Sequence, residues 1–244
     1  MKIPYELSKA AAEEFVSLEQ EAIKQKGSFA VALSGGNTPR GLYSLLASEA
    51  DPYRTQIRWD RVHFFWGDER NVSPDHPDSN FRMVMDALLS KVPVPAENIH
   101  RIKAEDADIE KAAGDYERLL RKVFSLKASK LPRFDLVLLG MGRDGHTASL
   151  FPLTDVLGER ERLVAALYVE KLDSHRITLT IPVINNAACI VFLVSGGEKA
   201  ETLKKVLHGK YQPEQFPAQA IRPTRGRLLW IVDSNAARLL NKNT

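Results

Sequence analysis

Short apolar runs alternate with helical patterns along the whole chain, and this alternation constrains the fold most. Runs such as Ser28–Leu33, Arg61–Trp66 and Cys189–Val194 show no helical period, and their length and β-branched content favour strands. Segments 8–26 and 106–126 carry apolar residues at helical spacing between such runs. Because this alternation is typical of βα units, the sequence predicts an α/β fold. We expect an open, mainly parallel Rossmann-like sheet with helices on both faces.

The stretch from Phe134 to Pro152 carries the first candidate for chemistry. Its apolar start predicts a buried strand, which runs into a glycine-rich loop ending in Asp144, Gly145 and His146. In open α/β sheets ligands bind beyond the carboxyl ends of strands, and glycine lets the backbone approach a ligand closely. On these residues alone, a catalytic histidine and a structural histidine in a plain turn both remain open.

A second glycine loop follows the strand Ser28–Leu33. Its sequence Ser34–Pro39 (SGGNTP) leads into leucines at helical spacing, with Thr38 suited to the N-cap and Pro39 to the first helical position. Backbone amides and the positive end of the helix dipole then converge where an anion could bind. The alternative is an ordinary βα turn.

Charged residues end two further strands. Arg61–Trp66 runs into Asp68-Glu69-Arg70, which reads equally well as a ligand-facing turn or a solvated one. Cys189–Val194 runs into Ser195 to Lys199, where Ser195 and Glu198 have capping-box spacing. Lys199 would lie in the first helical turn, within reach of a bound anion, although most lysines are solvated.

Composition excludes several classes of protein. Net charge is only +3, basic and acidic residues are interspersed, and no block of basic residues suggests a nucleic-acid surface. No apolar run approaches the length of a membrane span, and the start of the chain lacks a signal-peptide pattern. Cys189 is the single cysteine, so no intramolecular disulfide forms. We expect one domain spanning 1–244, in the cytoplasm, as a monomer or small homo-oligomer, without nucleic-acid or membrane partners.

Five blocks of residues occur in an order that is typical of one family. They are LSGGNTPR (33–40), WGDERNVSPDHPDSN (66–80), LGMGRDGHTASLFP (139–152), RITLTIPVIN (176–185) and SGGEKA (195–200). In these blocks, and in a match that extends from the first helix to the last strand, the chain resembles the 6-phosphogluconolactonases. It is similar more distantly to the glucosamine-6-phosphate deaminases/isomerases, which share their fold.

The resemblance implies a sugar-phosphate site. The implied phosphate-binding residues are Ser34, Gly35, Gly36 and Thr38, with Arg70, Arg176 and Lys199 supplying positive charge. The resemblance further implies that His146 is the catalytic acid/base and that Asp144 and Asp68 share its pocket. Either aspartate could orient the imidazole, Asp144 being the first choice because it lies two residues away.

Position 151 separates the two branches that the resemblance brings together. The deaminase branch has a glutamate five residues past the histidine, whereas this chain has Phe151, which favours lactone hydrolysis. The expected reaction is hydrolysis of 6-phospho-D-glucono-1,5-lactone, the second step of the oxidative pentose phosphate pathway. No GxSxG-type nucleophile is present, so we expect direct attack by water, without metal or cofactor. An amino-sugar-phosphate isomerase/deaminase and a non-catalytic sugar-phosphate sensor remain as alternatives.

Overall fold

Two sheets organise the protein, whose structure is a computed structural model that describes residues 5–240. A six-stranded sheet has the order β4-β2-β1-β5-β8-β9 with every pair parallel, and a three-stranded sheet has the order β3-β7-β6 with both pairs antiparallel. The strands are β1 (Phe29–Leu33), β2 (Val62–Trp66), β3 (Asp68–Arg70), β4 (Ile99–His100), β5 (Leu136–Leu139), β6 (Val164–Val169), β7 (Ser174–Leu179), β8 (Cys189–Val194) and β9 (Arg227–Val232).

The larger sheet confirms the predicted parallel α/β architecture. Every residue of β1, β5 and β8 is buried, so helices and loops cover both faces of these central strands. The strand order grows outward on one side from β1 and on the other from β5. The topological switch point therefore lies between these two strands, where open α/β sheets bind ligands. Both glycine loops singled out in the sequence begin there, at Ser34 and Gly140.

The structure has the predicted helices with adjusted ends, and two short helices that the sequence pattern did not predict. They are α1 (Tyr5–Lys26), α2 (Asn37–Leu46), α3 (Tyr53–Gln56), α4 (Asn80–Ala87), α5 (Ile109–Val123), α6 (Ile181–Asn185) and α7 (Ala200–His208). Within residues 5–240, no helix is long and apolar enough to cross a bilayer. Ser79 caps α4, because its Oγ accepts the Arg82 amide at 3.1 Å.

Two predicted helix starts are wrong. The N-cap of α2 is Gly36 with φ 100°, so the helix begins at Asn37, and Thr38 and Pro39 already lie inside its first turn. Glycine adopts this backbone conformation without the strain that a side chain would add. The capping box at Ser195 does not form either, because its hydroxyl donates to Asp233 Oδ2 at 2.6 Å instead.

The smaller sheet contains the main departure from the sequence prediction. The charged segment Asp68-Glu69-Arg70 is not a turn but strand β3, which pairs with β7. Strands β6 and β7 pair in this antiparallel sheet rather than in the parallel one. A three-residue strand with three charged side chains has no periodicity that would reveal it, and only its pairing with β7 defines it.

A pair of stacked histidines lies on β2 and β4, at the β4 edge of the large sheet. His63 Nδ1 and His100 Nε2 are 3.2 Å apart, so one neutral ring donates to the other, and Phe65 stacks on His100 at 4.5 Å. Burial lowers the pKa of both residues, that of His100 to about 4. Protonation of the pair in the folded state is therefore disfavoured.

We expect this pair to make the protein less stable in mild acid. A histidine whose folded-state pKa is depressed stabilises the fold above its unfolded pKa of about 6.5, and this stability is lost as pH falls towards 4. The free energy of unfolding should fall by on the order of 2 kcal/mol more in the wild type than in His100→Gln over that range. Urea denaturation at several pH values measures the difference. Replacing the exposed His76 by Gln is the control, and equal pH slopes for wild type and His100→Gln would contradict the prediction.

Candidate active site

A cleft opens at the switch point and joins the two glycine loops. It consists of two adjoining cavities of about 180 and 450 Å³, and both are lined by Asp68, Arg70, His146 and Ala148. The smaller cavity extends to the Ser34 loop and the larger one to Arg176. The structure thus places His146 at the junction of the two cavities.

His146 forms a dyad with Asp144. Its Nδ1 lies 2.5 Å from Asp144 Oδ1, its amide donates to the same oxygen at 3.2 Å, and about a third of each side chain is exposed. Burial opposes ionisation of Asp144, but hydrogen bonds from His146 and Lys171 outweigh it and hold the pKa of Asp144 well below its ordinary value. The carboxylate therefore accepts, Nδ1 carries the proton, and Nε2 of the neutral ring is left as the acceptor.

The dyad is packed against Gly142, which explains the middle glycine of the loop. A Cβ added to Gly142 would lie 2.1 Å from His146 Nδ1 and 2.8 Å from Asp144 Oδ1, which is closer than atoms can approach. The Gly142 amide donates to His146 O at 2.9 Å, and the Gly145 amide donates to Gly142 O at 3.1 Å. These two amides are committed within the loop, so they do not offer the oxyanion site that glycine-rich loops often provide.

Phe151 lies against the catalytic candidate. Its ring centroid is 4.3 Å from that of His146, and the side chain is buried. Lys171 Nζ lies 4.7 Å from the centroid of the Phe151 ring. Position 151, on which the resemblance separates the two branches, is therefore occupied by an apolar packing partner of the imidazole.

Asp68 lies at the junction of the two cavities without touching the dyad. Its side chain is buried, and Oδ2 accepts the hydroxyl of Ser149 at 2.7 Å. Of the two aspartates that the sequence left open, Asp144 is the one hydrogen-bonded to the imidazole. Asp68 instead lines both cavities from the start of β3, where it can accept a hydroxyl of a bound ligand.

Glu69 has a structural role that the sequence did not indicate. It is only 3% exposed, its two oxygens accept the amides of Arg70, Asn80 and Phe81 at 2.8 Å each, and it lies at the N-terminus of α4. Burial raises the pKa of Glu69 although these hydrogen bonds oppose the shift. The carboxylate thereby ties β3 to α4 and sets the positions of Asp68 and Arg70 on either side of it.

The Ser34 loop forms the end of the smaller cavity. Ser34 is buried, and its Oγ has no hydrogen-bond partner among the described residues. Its main-chain N–H and C=O are both bonded to the Tyr43 hydroxyl, at 3.1 and 2.9 Å, so α2 holds the loop in place. A buried hydroxyl without a partner is costly unless a ligand or water satisfies it. Together with the N-terminus of α2, it suits an anion.

Lys199 faces the same small cavity from the end of β8. It lies in a 3-10 turn (Gly197–Lys199) that precedes α7, and burial lowers its pKa. No carboxylate forms an ion pair with Lys199 within the described ranges.

Asp233 fixes the loop that carries Lys199. It accepts the Ser195 hydroxyl and also the Gly196 amide, the latter at 3.0 Å. Asp233 accepts the Ala236 amide at 2.7 Å as well.

Two arginines face each other across the small sheet. Arg70 of β3 is the register partner of Arg176 of β7. Burial and the neighbouring charge of Arg70 lower the pKa of Arg176. Like charges placed opposite each other destabilise a strand pair unless an anion lies between or beside them. Arg70 lines both cavities, whereas Arg176 lines only the larger one, so the predicted phosphate residues are divided between the two.

Comparison with known proteins finds related sequences and related structures. Residues 3–230 match the family model described as glucosamine-6-phosphate isomerases/6-phosphogluconolactonase. The chain is 46% identical over 220 residues to a 6-phosphogluconolactonase of Synechocystis, covering 90% of this chain and 88% of the relative. The solved 6-phosphogluconolactonase of Trypanosoma brucei superposes with a TM-score of 0.86 at 28% identity, covering 98% and 96% of the two chains. A monomeric glucosamine-6-phosphate deaminase superposes with a TM-score of 0.78 at 25% identity, covering 98% of each.

Proposed function

This chain belongs to the glucosamine-6-phosphate isomerase/6-phosphogluconolactonase family, and on that premise we propose that it hydrolyses 6-phospho-D-glucono-1,5-lactone to 6-phosphogluconate. This reaction is the second step of the oxidative pentose phosphate pathway. The observation that carries the proposal is the placement of the Asp144–His146 dyad, with its 2.5 Å contact, in one cleft with a cationic, hydroxyl-lined loop end. A hydrolase for a phosphorylated lactone needs these two features at a fixed separation.

In the proposed mechanism, His146 acts first as a base and then as an acid. Nε2 takes a proton from a water molecule as the water oxygen attacks the lactone carbonyl carbon, giving a tetrahedral oxyanion. The imidazolium, stabilised by Asp144, then gives that proton to the ring oxygen as its bond to carbon breaks. The ring opens to a hydroxyl and a carboxylic acid, and the acid ionises in water. The proton released is the quantity that an assay follows.

The phosphate is proposed to bind in the smaller cavity. Its oxygens would accept from the Ser34 hydroxyl and from amides at the start of α2, with Arg70 and Lys199 as counter-charges. The assigned set is Ser34, Gly35, Gly36, Thr38, Arg70 and Lys199, and Arg176 adds positive charge from the larger cavity. The phosphate group is remote from the lactone carbonyl, and holding it in this cavity would place the carbonyl carbon beside His146. Asp68, at the junction, would accept a sugar hydroxyl.

Removing the positive charge of Lys199 or of Arg176 should weaken substrate binding more than it lowers turnover. A charge-assisted hydrogen bond contributes about 1.5–3 kcal/mol, so Lys199→Ala and Arg176→Ala should each raise KM by about tenfold or more. We expect kcat to change by less than about threefold because neither side chain touches the dyad. Lys204→Ala, on the exposed side of α7, is the control. Unchanged KM values in both variants would show that the phosphate lies elsewhere.

The function itself is tested by pH-stat titration of the acid released from fresh 6-phosphogluconolactone, corrected for spontaneous hydrolysis. We expect enzyme-dependent acid release far above that background. The isomerase/deaminase alternative predicts ammonia release from glucosamine 6-phosphate, and Phe151 stacked on His146 argues against it because it offers no second carboxylate. The sensor alternative predicts binding of 6-phosphogluconate without any turnover of the lactone.

We propose further that the chain works as one domain on a small-molecule substrate, in the cytoplasm, as a monomer or small homo-oligomer. A single hydrophobic core supports the one-domain proposal, since its buried members come from both sheets, such as Val31 of β1 and Ile177 of β7. Neither a nucleic acid nor a membrane is proposed as a partner.

A further inference from the structure

Lys171 has no role in the proposed mechanism, yet it contacts two residues beside His146, Asp144 and Phe151. It lies in the 3-10 turn Glu170–Leu172 between β6 and β7, with its side chain about half exposed. Its Nζ forms an ion pair with Asp144 Oδ2, the oxygen that does not face His146. Its Nζ also lies 4.7 Å from the centre of the Phe151 ring.

These contacts form a closed circuit of four side chains. Asp144 bonds His146 through one oxygen and Lys171 through the other, and both of those residues lie against the Phe151 ring, His146 at 4.3 Å between centroids. A carboxylate held by both oxygens cannot rotate about its Cβ–Cγ bond without losing a partner. The direction in which Oδ1 faces the imidazole is therefore set by Lys171 as well as by the loop that carries Asp144.

We propose that Lys171 is a positioning residue for the hydrolysis, holding Asp144 so that its carboxylate keeps the imidazole of His146 in one tautomer and one orientation. This inference rests on the proposed function. In this role Lys171 contacts neither the attacking water molecule nor the reacting carbon, and it acts through Asp144. An exposed ion pair adds little to stability, so its contribution lies in the geometry of the dyad rather than in the free energy of unfolding.

The charge of Lys171 also affects protonation of the dyad. The other charged groups that line the larger cavity around His146 are Asp68, Arg70, Asp78 and Arg176. Removing one positive charge beside Asp144 leaves that carboxylate more strongly negative towards the ring, which favours the protonated dyad. Loss of Lys171 should therefore move the acidic limb of the kcat–pH profile to higher pH.

The test compares Lys171→Met, which keeps the length of the side chain, with Lys171→Arg, which keeps the charge. We expect Lys171→Met to lower kcat by about tenfold, as for other groups that orient a functional side chain, with KM changed by less than about twofold. The acidic limb should move to higher pH, and Lys171→Arg should restore most of kcat and the original limb. Lys9→Met, on the exposed face of α1, is the control for loss of a surface lysine.

A second measurement separates this inference from the proposed function. In ¹⁵N NMR of the imidazole, the wild type should show His146 with its proton on Nδ1 at neutral pH, and Lys171→Met should show a mixture of tautomers. A wild type without lactonase activity would overturn the proposed function, and the NMR comparison would still decide the role of Lys171. The positioning role would be overturned if Lys171→Met had the kcat, pH profile and ring signals of the wild type. It would also be overturned if Lys171→Arg failed to restore kcat.

Discussion

His146→Ala is expected to lower kcat for 6-phosphogluconolactone by at least about a hundredfold, the lower end of the contribution of a general acid/base. The imidazole is the one group at the cavity junction that is held by a carboxylate with Nε2 left as an acceptor. Without it, neither the attacking water nor the ring oxygen has a partner for proton transfer. Some activity above background should remain, because the phosphate site still positions the lactone.

The pH-stat assay measures this loss, with spontaneous hydrolysis subtracted at each substrate concentration. KM should stay within about threefold of the wild type because the imidazole is not among the residues proposed to bind the phosphate. His208→Ala, at the end of α7, is the control for loss of a histidine elsewhere. Near-normal turnover in His146→Ala would show that His146 is not the catalytic acid/base.

Gly142→Ala is expected to lower kcat almost as severely without removing any functional group. The new Cβ would lie 2.1 Å from His146 Nδ1, so the ring must move by about 1 Å or more to reach ordinary contact. A misplacement of this size costs on the order of a hundredfold in rate when it affects a reacting group. The backbone at Gly142 has no positive φ, so the substitution adds no strain of that kind to the fold.

Gly140→Ala provides a matched control in the same loop. A Cβ at Gly140 meets no atom within 4 Å, and its φ is also not positive. We expect Gly140→Ala to retain kcat within about threefold, while the thermal unfolding midpoints of both variants stay close to that of the wild type. If the two alanine variants had the same kcat, the proposed crowding of the dyad would be wrong.

Much of the site could be anticipated because its parts follow strands directly in sequence. Ser34 comes after β1, Asp68 after β2, His146 in the loop after β5 and Lys199 after β8, and parallel strands bring their carboxyl ends to one edge of the sheet. Asp144 was a natural partner for His146 since only one residue separates them. The resemblance to the lactonases then assigned roles that the local pattern left open.

The roles of Glu69 and Lys171 could not be read in the same way. Glu69 appears in the sequence as one of three charged residues, and its burial depends on the N-terminus of α4, whose Asn80 amide lies eleven residues further along. Lys171 is 27 residues from Asp144, in a turn of the second sheet. Local periodicity carries no information on which distant groups satisfy a buried carboxylate or pair with an ion.

By itself, the sequence determined the order of strands and helices and the glycine loops at the strand ends, because hydrophobic periodicity and backbone freedom are local properties. Only the tertiary structure decided that Asp68-Glu69-Arg70 is a strand, that Arg70 faces Arg176, and that Asp144 is the partner of His146. These outcomes depend on strand register and on contacts between distant segments. Their energies arise when the chain is packed, since pairing and burial bring together groups that the sequence keeps apart.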